Sequence, residues 1–215
     1  MEKEYKGYTI DLEQCEFTQS PREDDNLGTI ACWHKRYNLG DSFEKGTPNE
    51  YFKSLPKGSV ILPIFLLDHS GLAINTVGFI GEIAKWDSGQ VGYISVSPEK
   101  IRSEYSVKRV SKKLRNKIEQ HLTSEVEKYN CYLSGDVYDV IISKPSQHEN
   151  GQMVTVEVFN EVYGYSEAVR WAETYVNGLT ELESTMDDMK TLAGTFLDTV
   201  KLKDETENYM NLMEK

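Results

Sequence analysis

Val110, Leu114, Ile118, Leu122 and Val126 recur at helical spacing along an otherwise polar stretch. They form one apolar stripe on a helix of about six turns, starting after Val107 and ending near Ser134-Gly135. A helix that is apolar on one side only must cover something, and the strand-like segments around it supply the candidate. Residues 8–15 alternate Ile10 and Leu12 against Asp11 and Glu13, the period of a half-buried strand. Residues 29–33 read as a second strand. Residues 60–67 are continuously apolar, as a strand covered on both faces would be, with Pro63 directing it to an edge or a bulge. Asp68-His69-Ser70-Gly71 makes a turn and residues 72–77 return, a hairpin. Residues 90–96 alternate cleanly and end at Ser97-Pro98, the start of a helix with Ser as N-cap and Pro in its first turn.

Further on, residues 138–142 and 153–159 are strand-like and separated by a turn at 144–151. Residues 166–177 read as a helix with Ala168, Trp171, Ala172 and Tyr175 inward and Gly178 as its C-cap. The segment 37–58, rich in Gly, Asn, Asp and Pro, reads mostly as loop. The expected architecture is therefore α+β. A mostly antiparallel sheet of five to seven strands carries two or three packed helices, followed by an acidic C-terminal helix. The expected division is a core domain at 1–165 and a helical segment at 166–215.

That last segment differs in kind. Leu179, Leu182, Met186, Met189, Ala193, Phe196 and Val200 alternate spacings of three and four, a heptad seam. Residues 164–215 hold eleven Asp/Glu against five Lys/Arg, a net of −6 out of the chain's −11. Such a balance disfavours a protein-wide attraction to nucleic acid or to an anionic membrane. The longest apolar run, 60–67, is too short to span a bilayer, and the charged N-terminus lacks the apolar core of a secretion signal. The three cysteines, Cys15, Cys32 and Cys131, show no CxxC spacing, so a reducing, cytoplasmic setting is expected.

Four clusters of Trp, His, Asp and Gly interrupt the strands: Asp25-Asn-Leu-Gly-Thr29, Trp33-His-Lys-Arg-Tyr-Asn-Leu-Gly-Asp41, Asp68-His-Ser-Gly71 and Trp86-Asp-Ser-Gly-Gln-Val-Gly92. Such composition suits tight loops whose polar groups are satisfied locally or turned to a ligand. In an extended segment Trp33, Lys35 and Tyr37 would share one face and His34 and Arg36 the other. An anion stacked on an aromatic ring and paired with Arg36 is reasonable chemistry there. Asp68 and His69 are adjacent, so an Asp-His-Ser relay needs partners from elsewhere, namely Asp87 and Ser88. An enzyme site would thus draw on His69 as general base, Asp68 or Asp87 to orient it, Ser88 and His34. The four imidazoles show no HExxH or HxH spacing, so neither a metal site nor a cofactor is expected. Trp86 reads as a structural corner or, exposed, as an interface anchor. Lys108, Arg109, Lys112, Lys113, Arg115 and Lys117 make a basic helix face that suits phosphates, an acidic partner, or solvent.

In that order, and together with Lys108-Arg-Val-Ser-Lys-Lys-Leu114, these motifs resemble a family of small uncharacterised proteins. Their genes are carried by phages, plasmids and other mobile elements, and the similarity covers roughly residues 5–165. Members of that family have a shorter link between the Asp-His-Ser-Gly and Trp-Asp-Ser-Gly turns, which Gly78-Phe-Ile-Gly-Glu-Ile-Ala-Lys85 fills here. The resemblance implies a setting and no chemistry.

The leading expectation is an accessory protein of a mobile element. It would act in the host cytoplasm by binding a host or defence protein, such as a CRISPR or restriction nuclease, by nucleic-acid mimicry. Contact residues would be Trp33, Arg36, Trp86, Lys112, Lys113, Arg115 and the tail acids Asp187 and Asp188. A second copy could associate through the seam from Leu182 to Val200. The alternatives are a small-molecule or nucleotide enzyme between the Trp33, His69 and Trp86 loops, and nucleic-acid binding by the helix face of 108–117.

Overall fold

The structure is a computed structural model. It describes residues 1–215 apart from 43–45, 83, 147–150 and 214–215. The fold is α+β, as the sequence implied, but its strands form two four-stranded sheets where one was expected. In chain order the elements are β1 (Glu2–Tyr5), β2 (Tyr8–Gln14), β3 (Thr29–Cys32), α1 (Pro48–Ser54), β4 (Val60–Asp68), β5 (Leu72–Asn75), α2 (Ala84–Asp87), β6 (Ser88–Val96), α3 (Pro98–Glu104), α4 (Lys112–Ser134), β7 (Val137–Pro145), β8 (Met153–Tyr163) and α5 (Tyr165–Met213). One sheet runs β1-β2-β7-β8, the other β3-β6-β4-β5. Two compact units result, each built from separated pieces of chain. The smaller takes 1–12, 140–158 and 168–215, and the larger 13–139 and 159–167.

In the larger unit, α4 is capped by Ser111, whose side chain accepts from the Leu114 amide, and is ended by Gly135 in the left-handed region. Its stripe buries Ile118, Leu122, Val126 and Tyr129 in one cluster with Ile30, Ile64, Ile74 and Ile94 of the sheet. Pro63 sits opposite Tyr93 on β6, and the β4–β6 ladder is irregular between Ile64 and Phe65. The bulge is therefore where the proline implied it. The edge is not: β4 lies between β6 and β5. Proline is tolerated because β5 pairs only with Phe65 to Asp68, so Pro63 lies past the end of that ladder. The hairpin at 68–71 forms as read, with Asp68 opposite Leu72 and Ser70 at positive φ.

Three elements escaped the sequence reading. The charged N-terminus is an edge strand, β1, paired with β2 across Lys6-Gly7, both at positive φ. Inside the expected loop lies α1, closed by a capping box between Thr47 and Glu50 with Pro48 in the first turn. The corner at Trp86 is the short helix α2 running directly into β6, which starts at Ser88 rather than 90. The expected turn at 144–151 falls partly on 147–150, His148 and Asn150 included, outside the described residues.

In the smaller unit Ile10, Leu12, Val140 and Ile142 are buried on the strands, and Ala168, Ala172 and Val176 on the helix. Lys3 pairs with Glu173, Tyr5 donates to Asn177, and Tyr8 and Lys144 both reach Glu183 at 2.9 and 3.0 Å. The inward face of this helix is thus 168/172/176; Trp171 is 49% exposed and Tyr175 bonds Glu157. Gly178 caps nothing, since the helix passes through it for 49 residues, about 73 Å. From 181 to 203 every described side chain is exposed. No helix among the described residues is long and apolar enough to cross a membrane.

Candidate functional site

The motif residues divide into those that hold the larger unit together and those that face solvent. Arg22, with a side chain 5% exposed, donates to both oxygens of Asp41 at 2.8 and 3.0 Å, to Glu125 at 3.0 Å and to the Gly28 carbonyl at 2.7 Å. Glu125, on α4, in turn accepts from the Leu27 and Gly28 amides, and Asp41 from the Ile30 amide. Burial opposes the guanidinium's charge, and the two carboxylates more than offset it, so its pKa is raised. A Cβ on Gly28 would lie 2.6 Å from Leu122, which is why that motif position carries no side chain. The Asp25–Thr29 and Leu39–Asp41 clusters are therefore scaffold.

The other clusters converge on the β4–β5 hairpin. His69 Nδ1 lies 2.9 Å from Asp87 Oδ2, joining the hairpin turn to α2. Beside it Asp68 accepts from Arg36 at 3.0 Å and from the Tyr37 hydroxyl at 3.1 Å. His34 stacks on Tyr37, with centroids 5.0 Å apart and planes 8° from parallel, and the Arg36 guanidinium lies 5.1 Å from the same ring. The alternating faces expected for 33–37 do not occur, because β3 ends at Cys32 and the chain turns. The Tyr37 phenol is held above its ordinary pKa, by desolvation first and then by its bond to Asp68, so it stays a donor.

Not every expected member joins this site. Trp33 turns away, donating its Nε1 to the Gly46 carbonyl at 2.9 Å and meeting Tyr51 edge-on. Ser88 donates to the Ala84 carbonyl at 2.6 Å and so is engaged in its own turn. With Nδ1 held by Asp87, His69 is left with Nε2 for proton transfer, but among the described residues no hydroxyl or thiol nucleophile is bonded to it. The pair is wet: the side chains of His69 and Asp87 are 48% and 39% exposed. Among the described residues no group of three or more His, Cys, Asp or Glu is placed to hold a metal ion.

Beyond the dyad the surface turns apolar. Val77, Ile80 and Trp86, between the end of β5 and the start of β6, are each almost wholly exposed. Trp86 is thus a corner residue whose ring faces solvent. Sequence reading named Trp86 and passed over Val77 and Ile80, although the unusual Gly78-Phe-Ile-Gly81 was a signal. On α4 the basic face is only partly available. Lys112 and Lys113 are exposed, whereas Arg115 donates to the Gly58 carbonyl at 2.7 Å and Lys117 lies over the Tyr105 ring.

Among the described residues the tail presents the longest exposed apolar series. Leu182, Met186, Met189, Leu192, Phe196 and Leu197 are each more than half exposed along one helix, with Asp187 and Asp188 beside them.

No family model, curated protein or solved structure matches the chain.

Proposed function

We propose that this protein acts by binding another protein, with the C-terminal half of α5 as its docking element. The observation that carries this reading is the run 181–203, whose described side chains are all exposed, a helix with an apolar stripe and an acidic flank. An isolated helix of this length gains little from propensity, and apolar stripes persist on helices that bury them. We place the partner among nucleic-acid-processing proteins of host defence, on two supports. One is the resemblance of the motif series to that of mobile-element proteins. The other is the tail's excess of carboxylates, which suits a basic nucleic-acid channel. The test is an affinity purification from host lysate, full chain against a chain ending after Gly178. Recovery of a nuclease by the full chain alone, weakened by salt and by Asp187→Lys/Asp188→Lys, is the expected result. Equal recovery by both chains would sink the role of the tail.

The His69–Asp87 contact favours a second reading, an acid–base site acting on a ligand held by Arg36 and Tyr37. Its weakness is solvent, since an exposed dyad gains little from a lowered dielectric. Turnover of a nucleotide or ester panel that His69→Gln abolishes, in a chain with unchanged unfolding, would establish it.

A further inference from the structure

We propose that the exposed half of α5 associates with the same segment of a second copy of this chain, as an antiparallel two-helix coiled coil. The inference rests on the reading of this helix as a binding surface and names its first occupant. Spacings of three and four keep Leu182, Met186, Met189, Ala193 and Phe196 on one line only if the helix winds around another helix at 3.5 residues per turn. A flat or globular partner surface would ask for the broader 3.6-period face.

Area, size and charge then point to a second copy in reversed direction. The side chains of Leu182, Met186, Met189, Leu192, Phe196 and Leu197, at 57–74% exposure, offer on the order of 700 Å² per copy, close to the share of one partner in a standard interface. An antiparallel pairing centred near Thr191 sets Met186 against Phe196 of the other copy and Met189 against its Ala193, large side chain against small. It also brings the two Leu192 together beside the dyad axis. The same reversal lays the Lys201/Lys203 end of one helix along Glu181 of the other, Glu183 being held by Tyr8 and Lys144 of its own chain. Parallel, in-register helices would instead place Lys203 on Lys203 at an inward position and bring the acid-rich turns together. Asp187 and Asp188 fall outside the seam, so pairing leaves the acidic flank for the partner proposed above.

Sedimentation velocity on the full chain across a wide concentration range is the direct test, with benzoylphenylalanine at Phe196 to report direction. A monomer–dimer equilibrium is expected. Met189→Lys and Met186→Lys should each weaken it about tenfold or more, because each removes a buried layer. Asp188→Ala, outside the seam, should leave it within about twofold. Photo-cross-links should map near Met186 of the other copy. A monomer at every concentration, a dimer indifferent to both lysine variants, or cross-links centred on position 196 would each overturn the proposal. Near-ultraviolet dichroism confirms that the variants keep the folded body. None of these outcomes bears on whether the lysate purification recovers a nuclease, so the two readings fail separately.

Discussion

At Arg22 a rigid fork of donors meets two carboxylates that are far apart in sequence, Asp41 and Glu125, and leaves neither unpaired. Removing the guanidinium leaves Glu125, 9% exposed, and Asp41, 22% exposed, without their shared counter-charge. Arg22→Met should therefore cost about 3–5 kcal/mol, read from the urea midpoint of the full chain. A loss under about 1 kcal/mol would mean that the network relaxes into solvent. The thiols act at the same scale. Burial, followed by Asp139 beside Cys15 and Asp136 beside Cys131, pushes each thiol from 9.0 up to about 11. A raised thiol holds its proton more tightly when folded than when unfolded. Its stabilisation is full below the unfolded value and is lost as pH rises from 9.0 through about 11. Stability should thus fall between these limits, with the raised Tyr51 and Tyr129 phenols adding to the loss at the upper end. Cys15→Ser/Cys131→Ser should flatten the lower part of that slope in urea titrations.

At the scale of elements, α5 separates two meanings of glycine. Gly178 has the local signature of a stop, following a helix with a clear inward face, yet it is helical, exposed and clear of any neighbour within 4 Å of a Cβ. Gly178→Ala should raise stability by about 1 kcal/mol, visible as a higher thermal midpoint and stronger helical dichroism. At a left-handed cap the same change would destabilise. Gly135 is the contrast: it does end α4 at φ 70°, and its alanine variant should lose stability. Pro63 shows the same dependence on setting. A proline in an inner strand conflicts with ladder pairing unless the neighbouring strand stops short, which β5 does.

For the whole molecule, the tail beyond Ser184 contributes no buried residue to either unit among those described. A chain ending there should match the full chain's unfolding free energy within about 0.5 kcal/mol in dilute solution, while losing self-association. A larger drop would show that the tail packs on the body. Stability of the units then rests on two cores. One is Ile10, Leu12, Val140 and Ile142 with the first three turns of α5, and the other is the α4 stripe with the β3-β6-β4-β5 sheet. Function, on the readings proposed here, rests on surfaces outside both.

Local periodicity by itself determined the α4 stripe, the alternating strands β2 and β6, the 68–71 hairpin and the seam of the tail, because each is a pattern of neighbours only a few residues apart. The α+β class followed from those patterns. Only the tertiary structure decided that the strands split between two sheets, that charged residues 2–5 form an edge strand, and that α5 runs on through Gly178. The same holds at the sites. Arg22 and Glu125 are 103 residues apart and His69 and Asp87 are 18 apart. Whether such pairs meet depends on how sheet and helix close over one another, and no local spacing encodes that. Which aromatic rings stay in water was equally out of reach, since Trp33 and Trp86 sit in motifs of like composition and only packing turns one inward to Gly46 and Tyr51 and leaves the other bare.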